Sequence, residues 1–332
     1  MNRHTRRLAG IAAAAALSAM LSSCAAVAGV SDPPTATVGG AVSGSRASGI
    51  AAQVTTLAAR ATAAASGADG DALRATAFTG DALTAANADA KLATTLSQAQ
   101  KDALALTSAA PVVLAVSNGL SYPRQMLVQT TRAKSGLPVL SLLTTPDSRT
   151  PFRIAASATM LPSAEVPSFD QLAQGAPLLG SGAGLAAPPQ KLLAAYASSL
   201  AFPAPAADAN APFEDDASAA AVRKNAQAQS DGLSGSGTLT SQSSAKDVVG
   251  GFKVADDRGA LVFTVIQRKD TILNRTQATI TPTAQFTALT GLSNIKAEAT
   301  LDTLEFVVFV VPASGQARVV AAQEHLVAAT GT

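Results

Sequence analysis

The chain has 332 residues, 48% of them hydrophobic, 14% charged and 4% aromatic, which describes an Ala-rich globular protein and not a disordered or membrane-embedded one. Without residues 1 to 23, whose charges are Arg3, Arg6 and Arg7, 21 basic side chains face 22 acidic ones, a balance that argues against a non-specific nucleic-acid binder. One Cys, two His, two Tyr and no Trp exclude an internal disulfide and a multi-His or Cys-rich zinc site, and weaken any reading as a stacking platform for sugars or single-stranded nucleic acid.

At the amino end, Arg3, Arg6 and Arg7 precede the apolar run from Leu8 to Leu21, which ends in Leu21-Ser22-Ser23-Cys24. The run is about half to two thirds of the ~20 residues that a spanning helix needs, so residues 1–23 read as a secretory signal. The ending resembles the lipobox of bacterial lipoproteins. The resemblance implies that the sulfur of Cys24, the one thiol of the chain, is alkylated by a diacylglycerol and the signal is then removed. Two acyl chains hold a protein on a membrane durably, so the expected state is anchored to the outer face of the cytoplasmic membrane, in the cell envelope. Arg6-Arg7 leaves the export route open. Residues 24–48, rich in Gly, Pro and Ser, read as a flexible tether reaching roughly 25 to 30 Å.

From Ile50 the spacing of Ile50, Val54, Leu57 and Ala61 predicts a helix, and capped stretches carrying Leu73 and Phe78, then Leu83, Ala86, Ala90 and Leu92, predict two more. After Pro111 the period falls to two. Val112 to Val116, Met126 to Thr130, Val139 to Leu143 and Phe152 to Met160 read as four antiparallel strands, with turns at Asn118-Gly119, Ser135-Gly136 and Pro146-Asp147. Pro and Gly crowd residues 162–189. The same order then returns, with helices at Leu192 to Leu200 and around Glu214 to Lys224. Strands are predicted at Thr238 to Ser244, Ala260 to Arg268, Thr271 to Thr281, Ala297 to Val311 and Arg318 to Val327. The run Leu304 to Val311 is apolar on both faces and should be a central strand, with a bulge or bend near Leu301 to Leu304 where the alternation changes phase.

The fold class expected is α+β. Two tandem modules, each of helices on a curved antiparallel sheet that resembles the NTF2-like and cystatin-like folds, would occupy residues 49–165 and 188–330, with a linker at 166–187. Tyr122-Pro123-Arg124, Arg149 to Arg153, and the Pro-x-x-Leu pattern before Tyr196-Ala197 resemble an uncharacterised family of actinobacterial surface lipoproteins. That resemblance implies a lipoprotein and carries over no catalytic residue.

No catalytic, metal or cofactor motif stands out. Ser243-x-x-Lys246 and Ser293-x-x-Lys296 match the spacing of a Ser nucleophile and Lys base, but no Lys-Thr-Gly element accompanies them, and Ser243 lies on a predicted strand that sends the two side chains to opposite faces. The acids at Asp69/Asp71, Glu214 to Asp216 and Asp256-Asp257 lack EF-hand spacing and read as caps and turns. His325 alternates with Val319, Ala321 and Val327 on a strand and has no nucleophile motif nearby. Tyr122, Arg124 and Arg153 are the candidate ligand contacts, since strand-borne Arg can hold an anion through its planar fork. The function expected is a non-catalytic, lipid-anchored binding or scaffold protein without a cofactor, whose partners are the membrane, through Cys24, and an envelope protein or apolar small molecule, with no nucleic acid. A carrier of an apolar ligand such as a lipid, or an envelope-acting hydrolase, are the alternatives.

Overall fold

A computed structural model describes residues 39–332 apart from 108, 207, 234, 277 and 278, so Cys24 and the signal segment lie outside the described residues. Residues Gly40–Thr332 make one compact unit. Its helices are α1 (Gly44–Ala63), α2 (Ala68–Ala77), α3 (Gly80–Leu92), α4 (Gln98–Leu104), α5 (Pro189–Ser199), α6 (Ala217–Gly232) and α7 (Ala284–Thr290). Its strands are β1 (Val112–Val116), β2 (Arg124–Thr131), β3 (Pro138–Thr145), β4 (Arg153–Met160), β5 (Gly237–Lys253), β6 (Gly259–Asn274), β7 (Glu298–Pro312) and β8 (Arg318–Gly331). The class is therefore α+β.

All eight strands belong to a single antiparallel sheet in the order β1-β2-β3-β4-β8-β7-β6-β5. Two separate sheets, one per module, were expected from the repeated order of helices and strands, and here the structure departs from the sequence reading. The two four-stranded meanders are joined where Thr159 pairs with Ala322 and Met160 with Ala321. Arg132 clamps that joint, donating to Thr159 Oγ1 at 2.9 and 3.1 Å and to Gln323 Oε1 at 3.2 Å; burial pushes its guanidinium down from the usual range. Beyond the joint the meanders splay, and β4 pairs near Ile154 with Phe78 instead of with β8. Helix α3 packs against both β4 and β8. Asp81, in its first turn, pairs with Lys246 of β5 at 2.8 Å, and Asp89, near its end, lies 2.8 Å from His325 of β8.

The far edges are drawn together by the segment between the halves. Ala176 N donates to Val116 O and Asn118 N to Ala176 O, while Leu179 N donates to Gly251 O and Lys253 N to Pro177 O, at 2.8 to 3.0 Å. One stretch of residues 166–187 thus bonds to the ends of both β1 and β5. Pro and Gly keep it irregular, but its carbonyls and remaining N–H groups satisfy edges that would otherwise lie bare. Gln125 of β2 adds a side-chain bridge, its Oε1 accepting from Gly251 N at 3.2 Å.

Both faces of the first meander are consequently buried, Met126, Val128 and Leu143 on one and Leu127, Leu140 and Ala156 on the other. They share a core with α1 to α3 and with Phe252, Phe263, Phe306 and Val308 of the second meander. The opposite face of the second meander, including Val262, Ile266, Val307 and Phe309, packs under α5 and α6 through Leu192, Leu193, Tyr196 and Val222. Burying a side chain of this size contributes roughly 1.5 to 3 kcal/mol, which explains the apolar run on both faces of β7.

Local differences from the sequence reading have simple causes. Helix α1 starts at Gly44, inside the stretch assigned to the tether, because Ala47 and Ala51 are as fully buried as the later Ala61 and small side chains escape a periodicity search built on Ile, Val and Leu. Strand β6 runs unbroken through Asp270, joining two predicted strands, because residues 260–273 all have partners on both β5 and β7 apart from the β5 bulges. The register of β7 with β8 shifts between Asp302 and Thr303, within the region where the apolar alternation changes phase.

Candidate functional site

A cavity lies on the first meander. It measures about 480 Å3 and is lined by Leu114, Gln129, Pro138 and Met160 from the strands and by Glu165 to Phe169 from the chain that leaves β4. Strand register puts Gln129, Pro138 and Met160 on one face with Leu127 and Ala158, while Leu114 sits in the bulge between Val113 and Ala115. The irregular segment passes over that face and packs Val166 and Phe169 onto the core, Phe169 edge-on to Phe252 at 6.1 Å between ring centroids. A strap therefore forms one wall of the groove and a sheet the other. Val112, 54% exposed, pairs with Gln129 on the same face, and the exposed Leu106 pairs with Arg132 farther along the same edge of β2. The polar groups among the lining residues are Gln129, Glu165 and Ser168, with no pair of titratable side chains poised for proton transfer.

A second, smaller cavity of about 120 Å3 lies between α6 and the sheet, lined by Asn225 and Gln229 on the helix and by Ser241, Arg268, Asp270 and Glu324 on the strands. Arg268 is the hub. Its Nε meets Asp270 at 3.3 Å, its Nη2 meets Glu324 at 2.9 Å, and its Nη1 donates to Glu305. The side chain of Glu305 is 5% exposed, and burial, together with the Glu324 and Asp270 charges, outweighs the guanidinium and pushes its carboxyl up to about 7. Ser241 Oγ is buried beside the cavity without a partner. Nearby, Tyr196 donates to Asp216 at 2.9 Å, and burial against that carboxylate pushes its hydroxyl far up, so it stays protonated. Asp216 also caps α6 by accepting from Ser218 N and Ala219 N.

The candidates drawn from the sequence do not assemble into one site. Gln125 pairs with Thr144 and Thr144 with Arg153, while Arg124 pairs with Thr145, so Arg124 and Arg153 stand on opposite faces of the meander and cannot fork one anion together. Arg124 instead stacks on Tyr122, 4.4 Å from the ring centroid, and donates to Ala41 O and Leu120 O at 3.2 Å. Lys246 pairs with Asp81 on α3, whereas Ser243 is paired across from Arg268 beneath α6. Ser293 and Lys296 are exposed in the loop after α7. His325 holds Asp89 and stands edge-on to Phe306, 5.6 Å between centroids. Among the described residues, no group of three or more His, Cys, Asp or Glu is arranged to hold a metal, and no helix is long and apolar enough to cross a membrane.

The groove was missed because its lining comes from single ordinary residues of four strands and five consecutive residues of a strap. For the Arg268 cluster a signal did exist: Glu305 is the one charged residue inside the apolar run Leu304 to Val311 of the central strand. Searches of family models, of curated proteins and of solved structures return no match to this chain.

Proposed function

We propose that this chain is a non-catalytic, lipid-anchored binding protein of the outer face of the cytoplasmic membrane, held through Cys24, that takes an apolar ligand of small-molecule size into the groove between the first meander and the strap. The groove carries the reading. Its volume, about 480 Å3, falls within the ~300 to 1,000 Å3 typical of small-molecule sites, and apolar walls with a few convergent polar groups are what such sites present. Glu165 and Ser168 at the strap would orient a polar head, while Leu114, Met160 and Phe169 would hold an apolar body. The lipobox ending at Cys24 and the resemblance to actinobacterial surface lipoproteins support the anchored part of the proposal. Repetition of helices followed by a meander, with the halves joined antiparallel through β4 and β8, supports a duplicated α+β module of the NTF2-like or cystatin-like kind.

The test is titration with 11-(dansylamino)undecanoic acid, whose fluorescence rises on entering an apolar site. Saturable one-to-one binding is expected, weakened at least tenfold by Leu114→Asp, which sets a charge in an apolar wall, and unchanged by Ser243→Ala. Equal affinity for the Leu114→Asp variant refutes the groove as the site. For the anchor, Cys24→Ser is expected to move the protein out of the salt-washed membrane fraction with its fold intact; retention there refutes lipid attachment at this position.

A further inference from the structure

The described body begins beside one apolar loop. Gly40 pairs with Asn118, its N donates to Ala173 O at 3.0 Å, and Ala41 N donates to Ser117 O at 2.7 Å. The loop from Asn118 to Pro123 carries Leu120, which is 83% exposed and the most exposed large apolar side chain among the described residues, and Tyr122, which is 36% exposed. Arg124 rivets the two together: one guanidinium nitrogen donates to Ala41 O, another to Leu120 O, and the plane lies over the Tyr122 ring. Leu120 is therefore held out into solvent by a built frame. Nothing in the body covers it.

Arg46 and Arg124 are the charges next to Gly40 and Leu120, while the acids nearest along the chain and the sheet are Asp170 and Asp147, the latter in the turn past Thr145, which pairs with Arg124. Residues 40–60 and 111–131 contain Arg46, Arg60 and Arg124 and no acidic residue, and residues 171–176, which close on Gly40, contain none either. Arg46 is exposed in the first turn of α1. An exposed Leu, an amphipathic Tyr and adjoining Arg side chains are the combination that seats at a bilayer interface, with apolar groups at the acyl boundary, the phenol at headgroup depth and guanidinium on lipid phosphate.

The length of chain before Gly40 selects that occupant. On the reading that Cys24 is acylated, the fifteen residues 25–39 separate the lipid from Gly40. Fifteen residues reach at most about 50 Å whatever their conformation, so an acylated Cys24 keeps the corner next to Gly40 within that distance of the bilayer and at high effective concentration over it. We infer that the Leu120–Tyr122 tip, flanked by Arg46 and Arg124, docks on an anionic lipid surface as a second contact beside the Cys24 anchor and so sets the orientation of the body. Gln129 and Pro138 of the groove lie toward the other end of β2 and its hairpin with β3, which leaves the groove mouth clear of the docked corner.

This inference rests on the lipid-anchor reading, and the experiment separates the two. The chain has no Trp, so Leu120→Trp makes a single-tryptophan protein, and Leu273→Trp, at the opposite end of β6 from Gly259, makes a control. Each is prepared as the full acylated chain and reconstituted in phosphatidylglycerol/phosphatidylcholine vesicles. The expected result is a blue-shifted emission and loss of intensity with bromine-labelled acyl chains for Leu120→Trp and neither for Leu273→Trp, with the effect reduced in pure phosphatidylcholine. A Leu120→Trp emission that stays water-like while the protein floats with the vesicles overturns the docking and leaves the anchor standing. Shielding in native membranes without bromolipid quenching assigns the tip to a protein and also overturns it. Failure of the chain to float at all refutes the anchor and the docking together.

Discussion

Glu305 provides the sharpest quantitative test of the core. Its carboxyl sits on β7 between apolar neighbours and shares Arg268 with Asp270 and Glu324, three acids on one guanidinium. Burial is the largest cause of its shift to about 7 from an ordinary 4.5, the guanidinium opposes it, and the two neighbouring carboxylates reinforce it. A carboxyl raised in the folded state keeps its proton between those two values while the unfolded chain has released it. Unfolding in that window releases a proton, so stability falls as pH rises from about 4.5 to about 7 and is flat with respect to this group above it. Two and a half units at about 1.4 kcal/mol each set the loss at about 3 kcal/mol. Glu305→Gln keeps the shape and an oxygen for Arg268 but carries no charge, so it removes this penalty at high pH. Urea unfolding of both proteins at pH 5 and pH 8.5 measures it: the stability difference, variant minus wild type, should rise by about 2 to 3 kcal/mol between the two pH values. Groups away from Arg268 are the same in both proteins and drop out of the difference. Parallel pH dependence of variant and wild type would show that Glu305 is ionised throughout, and the argument from burial would fail.

Arg74→Met should cost about 3 to 5 kcal/mol in urea unfolding, because Arg74 is fully buried and its guanidinium satisfies Asn87 Oδ1, Asp71 and the carbonyls of Ala61 and Ala64 where α1 ends; a loss below about 1 kcal/mol would mean that this network is replaced by water. Two glycines should respond with opposite sign in thermal melts. Gly49, exposed inside α1 with open space around it, should gain about 0.5 to 1 kcal/mol as Gly49→Ala. Gly251→Ala should lose several times that, since its Cβ would lie 2.0 Å from Leu261 O at the point where the edge of β5 meets residues 176–179. A stable Gly251→Ala protein would show that β5 and β6 can part at this point without loss.

Much of the local structure is written in short-range pattern. Alternation placed β1 to β4 and β7 and the four-residue spacing placed α1 and α3, because period and breakers are properties of neighbouring residues; the bulge expected on β7 near Leu304 falls instead on β8, where Val327 is the extra residue opposite Asp302 and Thr303. The acids read as caps and turns act as such at Asp216 and Asp256, again through contacts a few residues apart. Partner choice is another matter. That β4 pairs with β8 through Thr159 and Met160, that a Pro-rich segment satisfies both outer edges, and that Arg124 and Arg153 face away from each other depend on which surfaces meet across about 30 to 160 residues. Hydrogen bonding along an edge is the same for any strand, so the side-chain pattern of one strand holds no record of its neighbour. The groove and the Arg268 cluster exist only after that choice is made, each being assembled from single residues of several strands, and it is the packing of the whole sheet that decides which of them face one another.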